Sequence, residues 1–243
     1  MAIDEMTSSK NQLLQLFSDE DLANLLSKCE LVQLEFNEVL IKPNCEIEYI
    51  YFPIESIISW LQPLDKQVGL VVALIGNEGM LSISPLLGVN TTYCQAVVQK
   101  AGSALRISVT HLISMFETQQ ALNNILRRYI FVVLSQVMQM AGCVRFHLIE
   151  QRLARIILMI KDRANSTEYQ ITQKSLANML GVRRVSISEA AAVLQRKNLI
   201  SYNRGHVNIH DISGLEALTC NCYNKDKEIY QKLLNAIPNI LTD

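Results

Sequence analysis

A change of hydrophobic period near residue 108 limits the fold more than any other feature. Before it, short runs rich in Val, Ile, Leu and Tyr occupy residues 31–36, 49–52, 57–61, 68–74, 96–99 and 104–107. Turn formers separate them, including Lys42-Pro43-Asn44, Pro53, Pro63, Gly76-Asn77 and Gly102. Many short strands punctuated in this way predict a small antiparallel barrel or sandwich. After the change, Leu126, Ile130, Val133, Val137, Met140 and Val144 follow one another at steps of four and three. That is a heptad seam on one long helix. Leu122, Ile125, Tyr129 and Val132 give the same helix a second apolar face, so it must be covered on two sides. The helix can be a core element of one subunit, or it can pack one face on the barrel and the other on a second copy. Its place between two regions of different character favours the homodimer.

At 243 residues the chain has room for two domains, and 49% hydrophobic residues supply a core for them, which excludes general disorder. A net charge of −1 excludes a uniform polycation. The charge is uneven, however. Residues 145–243 hold 14 Lys and Arg against 9 Asp and Glu, whereas residues 1–144 hold 8 against 14. The basic half is the candidate for phosphate backbones.

Residues 9–28 have a helical pattern, with Ser18 as N-cap before Asp19-Glu20-Asp21. The early acids of Met1-Ala2-Ile3-Asp4-Glu5-Met6 are not expected in a signal peptide, and the charge-free windows 79–99 and 129–144 are too polar or too short for a span. A soluble, cytoplasmic protein without a membrane partner is expected. The six cysteines (29, 45, 94, 143, 220 and 222) are then expected as reduced thiols. Cys220-Asn221-Cys222 has no second ligand pair near it in sequence, so neither a metal nor a cofactor is expected. A second helix over 150–161 carries Leu153, Ile156, Ile157 and Ile160 on one face. The segment 142–147 between the helices reads as a joint, with His147 a local structural residue.

The most specific chemistry lies in 171–200. Thr172 can cap a short helix whose apolar face is Leu176, Met179 and Leu180, and Gly181 can end it in a left-handed turn. A second helix starts near Arg183 and buries Val182, Ile187, Ala190, Ala191 and Leu194, while Ala177 and Ala191 are small enough for a close crossing. This is a helix-turn-helix, whose second helix can enter a major groove. Arg183, Arg184, Val185, Ser186, Ser188 and Glu189 lie on its exposed first turns; Arg can pair with guanine and Glu can accept from cytosine. Thr172 and Gln173, at the start of the first helix, are further candidate contacts. Residues 199–202 and 206–209 alternate around Asn203-Arg204-Gly205, a hairpin wing whose Arg204 and His206 can reach phosphate or a minor groove.

From 171 through this wing, with Gln151-Arg152-Leu153-Ala154 before it, the chain resembles the Crp/Fnr (cyclic-AMP receptor protein) family of bacterial transcription regulators. The resemblance implies an α+β chain. Its parts would be a cyclic-nucleotide-binding-like β-roll over 1–118, a dimerisation helix and hinge over 119–146, and a winged helix-turn-helix over 147–243. It implies a homodimer reading a roughly palindromic site on double-stranded DNA, with RNA polymerase a candidate partner. Arg184 matches the family's base-reading arginine and Ser186 its phosphate-contacting hydroxyl. Val185 and Glu189 stand where the best-known members have Glu and a second Arg, so their operator does not carry over. Residues 181–191, Gly-Val-Arg-Arg-Val-Ser-Ile-Ser-Glu-Ala-Ala, resemble a different branch of the family, written Gly-Val-Arg-Arg-x-x-x-(Ser/Thr)-Glu-Ala-Ala.

The family's nucleotide-binding segment corresponds to 79–99, with Gly79, Met80, Ser82, Thr92 and Tyr93 as candidate effector-pocket residues. It contains no Arg, Lys, Asp or Glu. A buried phosphate there would forgo a charge-assisted bond of about 1.5–3 kcal/mol. A neutral or apolar effector, or none, is expected in place of a cyclic nucleotide. An effector module that docks a protein partner through its winged helix is the alternative to DNA binding. An enzyme is not expected, because the four histidines (111, 147, 206 and 210) lie in no catalytic motif.

Overall fold

In the computed structural model, which describes residues 10–64 and 67–235, strands and helices divide where the hydrophobic period changes. The strands of the first part are β1 (Glu30–Leu34), β2 (Val39–Ile41), β3 (Tyr49–Pro53), β4 (Ile57–Leu64), β5 (Gln67–Ile75), β6 (Gln95–Lys100) and β7 (Gly102–Ser108). They form antiparallel sheets in the orders β1-β7-β3 and β2-β6-β4-β5, enclosing one core that contains Leu34, Ile50, Phe52, Ile58, Val98 and Leu105. The short β2, Val39-Leu40-Ile41, is not among the runs picked out from the sequence; it pairs Val39 with Val97.

The expected helix over 9–28 is divided, and its residue 9 lies outside the described residues. A 3-10 turn at Leu14–Leu16 precedes α1 (Asp19–Leu26), and Ser18 caps α1 by accepting from Asp21 N at 3.1 Å. The division follows from Asn11, which is fully buried. Its Oδ1 accepts from the Leu13 and Leu14 amides, and its Nδ2 donates to Pro53 O and Gly79 O, both at 2.9 Å. These bonds tie the chain to the sheet before a regular helix can form.

Helix α2 (Val109–Thr118) leads into α3 (Gln120–Phe146), and α4 (Ile149–Ala164) follows the break at His147. Gln151 Oε1 accepts from Leu148 N at 3.1 Å and so starts α4. Helix α3 is, among the described residues, the one helix long and apolar enough to cross a membrane by length and composition alone. Here Leu122, Ile125, Leu126, Tyr129, Ile130 and Val133 of that helix belong to the core of the roll.

This burial revises the expected seam. Leu126 is 0% exposed, and Ile130, Val133 and Met140 are also buried inside the subunit, with Val137 and Val144 half-buried. The face left open sits one position further round: Phe131 (54% exposed), Leu134, Met138 (63%) and Ala141. Steps of three and four link these residues as well, so a heptad count cannot separate the two rows.

The C-terminal region contains β8 (Glu168–Gln170), α5 (Gln173–Leu180), α6 (Arg184–Arg196), β9 (Ile200–Asn203), β10 (His206–Ile209), α7 (Ile212–Leu218) and α8 (Cys222–Tyr230), with a π-type turn at Gln231–Asn235. Its core takes in Ile57, Val71 and Leu74 from the roll. Arg163 clasps the two regions together, pairing with Glu78 at 2.8 Å and donating to Leu74 O at 3.2 Å.

Candidate nucleic-acid interface

Local signals build the reading element. Thr172 Oγ1 accepts from Ser175 N at 3.0 Å and starts α5. Gly181 ends it with φ +62, and the amides of Gly181 and Val182 return to Asn178 O and Ala177 O. The chain reverses within three residues, and α6 opens with Arg183 as its N-cap residue. Ile187, Ala190, Ala191 and Leu194 are buried, as expected from their spacing. Helix α5, rather than the reading face of α6, packs on β5 of the roll, where Gly181 lies against Leu70.

Arg183, Arg184, Val185 (65% exposed) and Glu189 project outward, while Ser186 and Ser188 are half-buried. Ser188 faces inward. Its Oγ donates to Gln173 Oε1 at 2.9 Å, and the same oxygen accepts from Arg184 Nε at 3.3 Å. Gln173 and Ser188 therefore position Arg184 across the start of the reading helix.

The wing is a tight hairpin with Arg204 (φ +47) and Gly205 (φ +83) at its tip. It carries a third strand, β8, that the sequence pattern did not reveal, with Gln170 opposite His206. The polar run Glu168-Tyr169-Gln170 shows its strand character only through this pairing. Gly205 O accepts from Ile171 N at 2.7 Å, and Tyr202 Oη donates to Ile171 O at 2.8 Å. Burial pushes the Tyr202 phenol up to about 12, so it remains a donor well into alkaline pH. The wing is thus fastened beside the start of α5.

Between wing and reading helix lies a groove of about 440 Å³ bordered by Thr172, Gln173, Lys174, Arg184, Tyr202 and Arg204. Three of these side chains are cationic and none is acidic, which suits a phosphate backbone. Lys174 and Tyr202 were absent from the sequence candidates. Lys174 borders the groove because it neighbours Gln173, and Tyr202 because β9 turns toward β10. His206 is exposed beside Arg204, with its Nε2 3.2 Å from Gln170 Nε2.

The expected effector segment is bound up with the fold. Gly79, Met80, Ser82 and Thr92 are buried, while Tyr93 is 78% exposed and stands apart from them. Tyr129 Oη both accepts from Met80 N and donates to Met80 O, each at 3.0 Å, and Leu81 N donates to Tyr51 O at 2.8 Å. The amides of Met80 and Leu81 are therefore already used. Ser82 has φ +81 and a buried hydroxyl without a hydrogen-bond partner among the described residues. A cleft of about 330 Å³ opens instead beside Asn77 and Glu78, bounded by Arg163, Tyr223 and Asp226.

Cys220 and Cys222 have no second ligand pair near them in sequence, but folding brings two more candidate ligands to them. Cys143 and His147, at the end of α3, lie beside them.

Residues 151–218 match the Crp-like helix-turn-helix domain family. The fold is similar to that of a Crp/Fnr-family putative transcriptional regulator from Eubacterium rectale, with 15% identity and TM-score 0.67, covering 86% of this chain and 98% of that one. FixK2 from Bradyrhizobium japonicum is similar at 12% identity and TM-score 0.68, covering 79% and 98%. A CooA mutant from Carboxydothermus hydrogenoformans is similar at 13% identity and TM-score 0.62, covering 86% and 96%. No curated protein matches the chain.

Proposed function

We propose that the chain is a DNA-binding transcription regulator of the Crp/Fnr type that works in the cytoplasm as a homodimer on pseudo-palindromic sites. The observation that carries this reading is the exposed start of α6. There Arg184, held by Gln173, stands over a cationic groove shared with Lys174 and Arg204. Arg184 reads a base edge. Thr172, Lys174, Ser186, Arg204 and His206 supply backbone contacts, and Arg183, Val185 and Glu189 face the groove floor. The partner subunit meets the row Phe131, Leu134, Met138 and Ala141. Pairing along a shared long helix presents two reading helices with the two-fold symmetry that a palindrome requires.

Where the roll takes an effector, that ligand is neutral or apolar, and the Met80–Tyr129 bonds join the 79–99 segment to α3 as a route for its signal.

Selection of bound sequences from a random DNA library, followed by titration at several salt concentrations, tests this reading. A two-fold consensus is expected, with affinity falling steeply as salt rises. Arg184→Ala relaxes preference at one position of each half-site and costs about 1–3 kcal/mol. Weak binding, equal on all sequences, would refute it.

A further inference from the structure

Three buried thiols and an imidazole converge at the joint between the two halves of the molecule. The ligand atoms of Cys143, His147, Cys220 and Cys222 all lie within 4.8 Å of one another. Cys143 and His147 stand one turn apart at the end of α3, which places both on one face. Cys220 and Cys222 flank Asn221, the N-cap residue of α8. The three cysteines form a buried cluster of their own, separate from both main cores. We propose that these four side chains are the closed tetrahedral site of one zinc-type divalent ion, bound by three thiolates and one histidine nitrogen.

Bond geometry distinguishes this from a chance meeting of thiols. Zinc–sulfur bonds of about 2.3 Å and zinc–nitrogen bonds of about 2.0–2.1 Å at tetrahedral angles set sulfurs about 3.8 Å apart and sulfur from nitrogen about 3.6 Å. The structure has Cys143 Sγ and Cys220 Sγ 3.6 Å apart, and Cys222 Sγ 3.5 Å from His147 Nδ1. An iron–sulfur cube holds its ligands on separate irons, and so requires a wider shell than this one. A soft S₃N donor set in tetrahedral array selects zinc among the common divalent ions.

The surroundings complete the charge balance. Three thiolates and a neutral imidazole around a divalent ion leave one net negative charge. Near Cys143, Arg152 and Arg155 of α4 are both buried, Arg155 with its Nη1 3.7 Å from Met140 Sδ. Arg155 pairs with Asp226 at 2.5 Å, whereas Arg152 forms no ion pair among the described residues and donates only to Leu180 O. A buried cation without a counter-charge is costly, and the loaded site supplies that charge. Gln139 Nε2 donates to Cys222 Sγ at 2.9 Å, the kind of outer bond that orients a metal-bound thiolate. The ion ties the end of the long helix to the last helix of the DNA-binding region, across the break at His147.

The test uses the full chain, purified with reductant and without chelator. Elemental analysis is expected to find one zinc per chain. After removal of zinc, Co²⁺ titration is expected to give thiolate-to-cobalt charge transfer and the intense visible bands of tetrahedral S₃N cobalt. Cys143→Ser and Cys222→Ser each abolish stoichiometric binding, while Cys45→Ser, at an exposed cysteine outside the cluster, leaves it unchanged. His147→Cys keeps the ion and shifts the cobalt bands toward those of an S₄ site, so the proposal does not depend on variants that lose metal. Gln139→Ala weakens binding about 10–100-fold. The proposal is overturned if the reduced wild-type chain binds neither Zn²⁺ nor Co²⁺, or if binding persists undiminished in Cys143→Ser and Cys222→Ser. Iron with acid-labile sulfide in the cluster, or a Cys143–Cys220 disulfide in protein prepared without oxygen, overturns it equally.

Discussion

Tyr129→Phe removes one oxygen and leaves the ring in place, and so isolates the bonds that join the roll to the long helix. The Tyr129 ring is buried, and its hydroxyl satisfies both the amide and the carbonyl of Met80 at 3.0 Å. Without it both backbone groups stay buried and unpaired, at about 1–3 kcal/mol each. Part of that is offset because a buried hydroxyl no longer has to be desolvated, so the expected loss is about 2–4 kcal/mol. For a chain of this size, that lowers the melting temperature by about 4–16 °C. Gly79→Ala attacks the same contact from the other side. A Cβ there would overlap the Tyr129 hydroxyl and lie 2.6 Å from its Cζ, so the ring must leave its site. Urea unfolding provides the measurement. Fluorescence of Trp60, the chain's one tryptophan, reports on β4 of the roll, and far-ultraviolet circular dichroism reports on the helices. A loss below about 0.5 kcal/mol for Tyr129→Phe, with the denaturant slope unchanged, would refute the reasoning.

Three further outcomes are expected. Met138→Glu puts like charges across the proposed two-fold seam and removes apolar contact from both copies; sedimentation should show the dimer dissociation constant rising about 100-fold or more. Arg204→Ala should weaken binding to all DNA sequences alike and lower the salt slope by about one per half-site, measured by fluorescence anisotropy. Asp226→Ala leaves the Arg155 guanidinium, 2% exposed, without its carboxylate and should cost about 3–5 kcal/mol in urea unfolding, whereas Arg155→Met with Asp226→Leu recovers most of that loss.

The sequence by itself determined whatever depends on neighbours along the chain. Thr172 as cap, Gly181 as left-handed terminator, the small Ala177 and Ala191, and the turn at Arg204-Gly205 specify the reading helix and its wing, because capping and turn energies are settled within a few residues. The strand runs of the roll were legible for the same reason, apart from the short β2. Only the tertiary structure decided which row of α3 faces outward. Leu126, Ile130 and Val133 differ from Phe131, Leu134 and Met138 neither in period nor in apolarity, but in whether the roll already covers them. The same holds for Gly79 and Met80, which read as pocket residues and are held by Tyr129, 49 positions from Met80. It holds most clearly for the four cluster residues. Cys143 and Cys220 lie 77 positions apart, and no local spacing rule can register a meeting that depends on how two folded regions dock.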